Sequence, residues 1–267
     1  MQAQGGSGLD WRDSGAYAPL LRADRSLFAW EWLRRDPRYR AAAECALTAD
    51  AEALRPDGVA GEAAGQARDA AAFGLVSFEP PHLGVPNARP LWRSEVHPLV
   101  VSVERGVVAR PDDVFLLDRL GDLATVLVRG RSEHLLLSDG LRTIRLDGPS
   151  GTFGPAPAWL RYRVEGLAAA EPVVLTVSRL LALWRTGRFA PSLHPAETRA
   201  RRWILMLRAW DALAAGADQR RVAEQLLSRS AGEPRWRSRE PSMRSQAQRL
   251  VRSARRLATG GFRSFLG

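Results

Sequence analysis

Residues 216–257 constrain the fold more than any other part of this chain, because they contain two successive amphipathic helix patterns. In the second pattern, six apolar residues recur at steps of 4, 3, 1, 3 and 3, which places all six on one face of a helix. These residues are Met243, Ala247, Leu250, Val251, Ala254 and Leu257. Pro241 suits the first turn of this helix, and Gly260 marks its end.

Two further helix patterns complete a three-helix unit. Asp218 is the predicted N-cap of the helix that follows Gly216. The inner face of that helix holds Val222, Ala223, Leu226 and Leu227. Residues 199–215 predict a longer helix that buries Trp203, Ile204, Leu207, Trp210 and Ala214. Because three helices of this size can share one core, we expect a trihelical, helix-turn-helix-like domain here.

The basic charge of the chain is concentrated in this unit. Residues 199–267 contain 16 Arg and 5 Asp or Glu, a balance of +11, whereas the whole chain carries +10, so the other residues sum to −1. All 39 basic residues are Arg, which a GC-rich genome alone would explain, so only the location of the arginines is informative. A localised basic surplus is typical of nucleic-acid-binding domains.

The side of the last helix opposite its apolar face is polar and basic. Its first turns offer three candidates for contact with base edges: Ser245, Gln248 and Arg249. The candidates for contact with DNA phosphates are Arg220, Arg244, Arg252, Arg255 and Arg256. The alternative is a solvated surface helix without a ligand. The clustered charge favours double-stranded DNA as the partner.

The N-terminal region is aromatic. The sequence SLFAWEWLRRDPRYR predicts a short apolar helix that ends before Pro37. Phe28, Trp30 and Trp32 are candidates for binding a partner, and the alternative is that they build a core. Residues 49–72 predict an Ala- and Gly-rich connector, and residues 73–78 predict a strand.

The middle of the chain is rich in predicted strands. They cover residues 96–103, 114–120, 123–129, 133–138 and 141–147. Asp139-Gly140 is a strong hairpin signal, so we expect an antiparallel meander. Residues 173–184 predict a helix that packs on this sheet.

The expected fold is therefore α+β, with three domains. A small aromatic helical unit with its connector covers residues 1–72, a β-rich domain covers 73–195, and the basic trihelical domain covers 196–267.

The sequence indicates a binding protein and not an enzyme. His82, His97, His134 and His194 stand singly, without a carboxylate, Cys or second His at the spacing of metal ligands. Cys45 is interpreted as a small buried residue. The Gly-rich residues 148–154 lack the Lys-Ser/Thr ending of a phosphate loop. We therefore expect no catalytic residues, no metal and no cofactor.

The composition also indicates the cellular compartment in which the protein works. One cysteine excludes an intramolecular disulfide, and no apolar run of the sequence approaches the roughly 20 residues that span a bilayer. The N-terminus lacks the basic and apolar regions of a signal peptide. We expect a cytoplasmic, nucleoid-associated protein without a membrane partner.

Two sequence patterns resemble known bacterial families. LRAWDALAAGADQRRVAEQLL, followed by Trp236 and MRSQAQRLVRSARRLATGGFRSFL, resembles the domain of unknown function 2285. FAWEWLRRDPRYR, together with FGLVSF, resembles its frequent companion, the domain of unknown function 6499. One departure from a simple helix-turn-helix is the long connection formed by residues 228–240.

The resemblance implies a proteobacterial transcriptional regulator with a helix-turn-helix role for residues 216–257. Some members of the family are linked to the transfer of integrative and conjugative elements, and we expect an activator. The alternative is a regulator that binds RNA polymerase or another regulator protein, as antiactivators do, and has no DNA affinity of its own. The sequence leaves the operator, the oligomeric state and any small effector open.

Overall fold

The computed structural model describes residues 8–53, 69–107, 110–227 and 241–267. These residues form an α+β fold, which confirms the predicted class. The helices are α1 (Arg25–Leu33), α2 (Pro37–Ala53), α3 (Leu167–Thr186), α4 (Ala200–Ala214), α5 (Gln219–Leu226) and α6 (Pro241–Ala258). The strands are β1 (Val100–Gly106), β2 (Ala124–Arg129), β3 (Ser132–Ser138), β4 (Thr143–Pro149) and β5 (Trp159–Tyr162).

The five strands form one sheet in the order β2-β3-β4-β1-β5. Strands β2, β3 and β4 make the predicted antiparallel meander. The turn between β3 and β4 contains Gly140 at a φ of 91°, where a Cβ atom would lie 2.5 Å from the carbonyl oxygen of Pro86. Glycine is needed at this turn both for its positive φ and for this close approach.

Strand β1 departs from the predicted antiparallel order. It pairs in parallel with β4, with Val101 opposite Leu146, and in antiparallel fashion with β5. Alternation of apolar and polar side chains reads the same in either chain direction, so the pattern that predicts a strand does not determine its orientation.

Two predicted strands are wrong. In residues 73–78, Leu75 makes an isolated bridge with Trp92. In residues 114–120, Phe115 makes an isolated bridge with Ala158, and a 3₁₀ helix then covers Leu117–Leu123. Both segments bury apolar side chains without joining the β-sheet. A short apolar run in the sequence looks the same in a strand and in another buried segment, so the pattern could not distinguish the two.

Helix α3 packs on one face of the sheet, as predicted. Val173, Leu180 and Leu183 join the sheet residues Val101 and Leu146 in one hydrophobic cluster. By length and composition, this 20-residue helix could also cross a membrane, a property that the sequence prediction missed.

A second hydrophobic cluster joins the two ends of the chain. Phe28 of α1 lies edge-to-face with Trp203 of α4, with ring centroids 5.0 Å apart. Phe265, which follows α6, lies 4.6 Å from Trp203 by the same measure. The cluster therefore draws on both the first and the third predicted domain, and the three-domain division itself stays a prediction.

A buried ionic network reinforces this junction. Arg35 binds Asp211 of α4 through two N–O distances of 2.8 Å, and the Tyr17 hydroxyl donates to Asp211 at 2.6 Å. Glu31 pairs with Arg34 at 2.8 Å and with Arg35 at 2.5 Å. Burial opposes the ionisation of Glu31, but the Arg35 and Arg34 guanidiniums outweigh it and lower the pKa of this carboxyl.

Candidate nucleic-acid interface

Helices α4 and α5 are joined by a tight turn. Helix α4 ends at Ala214 and α5 begins at Gln219, and between them Gly216 has a φ of 80°. The Asp218 side chain accepts a hydrogen bond from the backbone N–H of Arg221 at 2.8 Å, which confirms the predicted N-cap. Gly216 therefore allows the chain to turn after α4, and the Asp218 cap fixes the start of α5.

Helix α6 has the predicted inner face. Ala247, Leu250, Val251, Ala254 and Leu257 are buried, while Met243 is partly buried. Ala247 packs against Ala223 of α5, so the two helices support one another. The end of α6 is also the predicted one, with Gly260 at a φ of 105°.

The outer face of α6 is exposed along its length. The three candidates for base contact, Ser245, Gln248 and Arg249, are exposed on the first half of the helix. Arg244, Arg252, Arg255 and Arg256 are exposed beside them, and the sequence of α6 contains no acidic residue. Among the described residues, none of the five α6 guanidiniums has an ion-pair partner, so this face carries unneutralised positive charge.

Arg220, the remaining candidate for phosphate contact, lies on α5. It is exposed, as is its neighbour Arg221, which the sequence reasoning did not select. Two more exposed arginines, Arg201 and Arg202, lie in the first turn of α4. A helical-wheel projection of α4 and α5 was the signal that could have identified these three residues. The connection of residues 228–240 lies outside the described residues.

The aromatic candidates of the N-terminal helix are not on the surface. Phe28 and Trp30 are 0% exposed, and Trp32 is 1% exposed. The Trp30 indole N–H donates to the Leu83 carbonyl at 2.9 Å. Their burial leaves no exposed surface of these side chains for a partner to contact.

Two histidines have carboxylate partners that the sequence reasoning missed. His134 faces Asp147 across strands β3 and β4, and their side chains are 2.9 Å apart. His194 lies 3.3 Å from Asp24. The strand register and the tertiary fold create these pairs, so their sequence spacing carries no signal.

Asp112 and Asp113 lie on a different element of the described structure from Cys45. Asp112 and Asp113 lie in a 3₁₀ helix beside Trp184, while Cys45 is exposed and not buried as predicted. Among the described residues, no group of three His, Cys, Asp or Glu side chains is placed to hold a metal ion. The exposed basic face of α6 is thus the arrangement with the clearest binding chemistry.

A compact helical unit with one basic face is typical of nucleic-acid-binding domains. Residues 168–266 match the family model described as "T6SS, Transcription factor, DNA binding domain". Residues 10–73 match the family model described as "Proteobacterial transcriptional regulator-like domain". No curated protein matches the chain. The two matches indicate a transcriptional regulator with a DNA-binding domain in its C-terminal part. A DNA-binding domain of a transcription factor implies a cytoplasmic location.

The first match also covers residues that precede the predicted trihelical domain. It begins at residue 168 and so includes helix α3 as well as α4, α5 and α6. Helix α3 packs on the sheet. The matched region therefore includes helices from both hydrophobic clusters.

Proposed function

We propose that this regulator binds a specific sequence of double-stranded DNA, with α6 in the major groove, and activates transcription. The observation that carries the proposal is the outer face of α6, which is exposed and basic while the inner face is buried. An α-helix fits the major groove, where amide and guanidinium groups distinguish base pairs. Ser245, Gln248 and Arg249 contact base edges in this arrangement.

The proposed phosphate contacts lie around the residues of α6 that contact base edges. Arg244, Arg252, Arg255 and Arg256 lie on α6, and Arg220 lies on α5, which packs against α6. Guanidinium groups bind phosphate oxygens in bidentate geometry and stay charged at physiological pH. These five arginines position α6, whereas the base contacts select the sequence.

The turn between α4 and α5 fixes the two helices that support α6. Residues 215–218 join these helices through a short connection that contains Gly216. In the proposed complex, α4 and α5 hold α6 against the groove. Gly216 supplies the positive φ that such a turn requires.

The proposed regulatory role rests on the family resemblance. We assign activation through contact with RNA polymerase or another regulator, association with the nucleoid, and control of mobile-element transfer genes. A promoter fused to a reporter tests the sign of regulation, since deletion of the regulator should lower transcription of an activated gene.

The competing function is a protein-interaction regulator without DNA affinity. The exposed apolar residues Leu167 and Val174 on α3 favour it, since DNA binding does not use them. Gel retardation at low salt separates the two functions. Absence of a DNA complex, together with stoichiometric capture of RNA polymerase or another regulator, would exclude the DNA-binding proposal.

The base contacts are tested by recovering bound fragments from a random DNA pool at a stated salt concentration. Gln248→Ala and Arg249→Ala should each relax the preference at one or two positions, because each lost base contact costs about 1–3 kcal/mol of discrimination. Arg110→Ala, an exposed arginine of the β-rich region, is the control and should leave the recovered sequence unchanged. Unaltered preference in both α6 variants would contradict the assignment.

A further inference from the structure

The face of the sheet opposite α3 is polar and lines a cavity. Because side chains alternate along a strand, the neighbours of the apolar residues that pack on α3 point to this face. They include Ser102 on β1, His134 on β3 and Asp147 on β4. Residues 93–95 line another side of the cavity, which has a volume of about 640 Å³. This volume lies in the range of small-molecule sites.

A hydrogen-bonded network fixes the polar residues at the centre of this face. Asp147 Oδ1 accepts a hydrogen bond from Arg145 at 2.8 Å and lies 2.9 Å from His134 Nδ1. Arg145 is 2% exposed and also donates to the carbonyl oxygens of Leu135 and Trp92. The charge of Asp147 is therefore balanced by Arg145, and its position is fixed.

The two sides of the cavity differ in charge. On the side of β1 and β5, Arg163 pairs with Glu104 at 2.7 Å and with Glu165 at 3.6 Å. On the other side, the hairpin of β2 and β3 contributes Arg129 and Arg131. Strand β4 lies between β3 and β1 in the sheet, so it separates these two sets of charges.

Two further carboxylates are bound elsewhere and do not neutralise the hairpin. Glu133 points to the opposite face of the sheet, where it accepts from two backbone N–H groups, each at 2.7 Å. Glu95 pairs with Arg93 at 2.6 Å. Within the described ranges, the Arg131 guanidinium has no ion-pair partner. The hairpin side of the cavity therefore carries surplus positive charge.

We propose that this cavity binds a small anion with a phosphate or carboxylate group, and that Arg129 and Arg131 hold the anionic group. Guanidinium groups bind both kinds of oxyanion in bidentate geometry and stay charged at physiological pH. The Ser132 hydroxyl lines the same side of the cavity and supplies a further hydrogen-bond donor. The regulator would thus have a ligand other than DNA.

The DNA backbone does not suit this cavity. A cavity of this volume holds one small molecule and not a length of duplex. Glu95 and Glu104 also line it, with side chains that are 61% and 50% exposed, and they would repel an extended row of phosphates.

The first test is calorimetric titration of the full chain without DNA. Ribose 5-phosphate represents the phosphate class, succinate represents the carboxylate class, and ribose is the neutral control. At least one of the two anions should bind saturably at one site, more weakly as salt is added, whereas ribose should not bind. Absence of binding by both anions at about 1 mM, the upper end of common metabolite levels, overturns the proposal.

The second test changes the charge of each side of the cavity. Arg131→Ala should weaken anion binding about tenfold, because it removes a charge-assisted hydrogen bond. Glu104→Gln should strengthen it about two- to fivefold, because it removes a partly exposed negative charge and leaves Arg163 less neutralised. A gain of affinity cannot result from misfolding.

The matched control is Arg185→Ala. Arg185 is exposed on α3, which covers the opposite face of the sheet, so the affinity for the anion should not change. Wild-type affinity in both the Arg131 and the Glu104 variants would contradict the assignment of the site. A loss in the Arg185 variant equal to that in the Arg131 variant would do the same.

The anion and the DNA proposals fail separately. The titrations contain no DNA, so their outcome does not depend on the role of α6. Gel retardation with the Arg131→Ala variant provides the remaining comparison. If this variant binds DNA more weakly and the wild-type chain binds neither anion, the hairpin arginines contact the DNA backbone and the small-anion proposal is overturned.

Discussion

The arginines of α6 differ from the buried arginines in the described part of this protein. Arg35 and Arg145 are buried and bound by carboxylates, whereas Arg252 and Arg256 face solvent on a helix that has no acidic residue. A guanidinium that no protein group neutralises is available to a phosphate. The distinction lies in the surroundings of each residue, because the residue type is the same throughout the chain.

The Arg252→Ala and Arg256→Ala variants should bind all DNA sequences more weakly. Each should also reduce the slope of log affinity against log salt concentration by about one unit. The reason is that the loss of one phosphate contact lowers the number of counterions released on binding. Retardation assays at several salt concentrations measure this slope. Arg142→Ala removes an arginine that already pairs with Asp139 at 3.3 Å, so its slope should match the wild type. An unchanged slope in both α6 variants would contradict the phosphate assignment.

The inner face of α6 illustrates what can be predicted at the residue scale. Ala247, Leu250, Val251, Ala254 and Leu257 are all buried, as their helical spacing predicts. The spacing determines the face because the period of an α-helix is local. The pairing of His134 with Asp147 could not be found in this way, since it depends on how β3 and β4 align.

At the scale of elements, α1 and α4 are joined by charges that sequence patterns do not reveal. Arg35 and Asp211 are 176 positions apart, and their ion pair is 1–2% exposed. The sequence predicts both helices correctly, yet no periodicity connects the basic residue that follows α1 with an acidic residue in α4. The same limit applies to the orientation of β1, which the alternation of its side chains does not encode.

The Asp211→Ala variant should lose about 3–5 kcal/mol of unfolding free energy. It leaves Arg35 and the Tyr17 hydroxyl buried without their shared acceptor, and breaking a buried pair is costly. Urea denaturation followed by circular dichroism measures the change. Asp218→Ala makes the same substitution at the N-cap of α5 and should cost only about 1 kcal/mol. Equal losses in the two variants would argue against a special role for the buried pair.

At the scale of the whole molecule, His97 connects the β-rich part with the end of the chain. Its Nδ1 atom lies 3.2 Å from the Leu266 carbonyl, and its side chain is buried. Burial lowers the pKa of His97 to about 4, and the hydrogen bond to Leu266 offsets only part of this effect. The sequence gives no sign of this contact, because it joins residues that are 169 positions apart.

The pKa of His97 predicts a loss of stability in mild acid. Between about pH 6.5 and pH 4 the unfolded chain binds a proton that the folded chain does not, so stability falls as the pH falls. The His97 contribution to this loss is about 3 kcal/mol across the window. Urea titrations at several pH values should show a shallower decline for His97→Gln. The control His82→Gln should retain the wild-type decline, and an equally steep decline in His97→Gln would refute the prediction.

The hydrophobic cluster that joins α1 to α4 and α6 cannot form until late in the synthesis of the chain. Trp30 and Leu33 leave the ribosome early, but the α4 and α6 residues that complete their core, such as Leu207 and Ala254, leave late. Glu31 can pair at once with Arg34 and Arg35, whereas Asp211, the second partner of Arg35, is synthesised much later. Until α4 and α6 have been synthesised, the N-terminal segment therefore exposes aromatic surface, which is the condition under which a nascent chain is prone to aggregate.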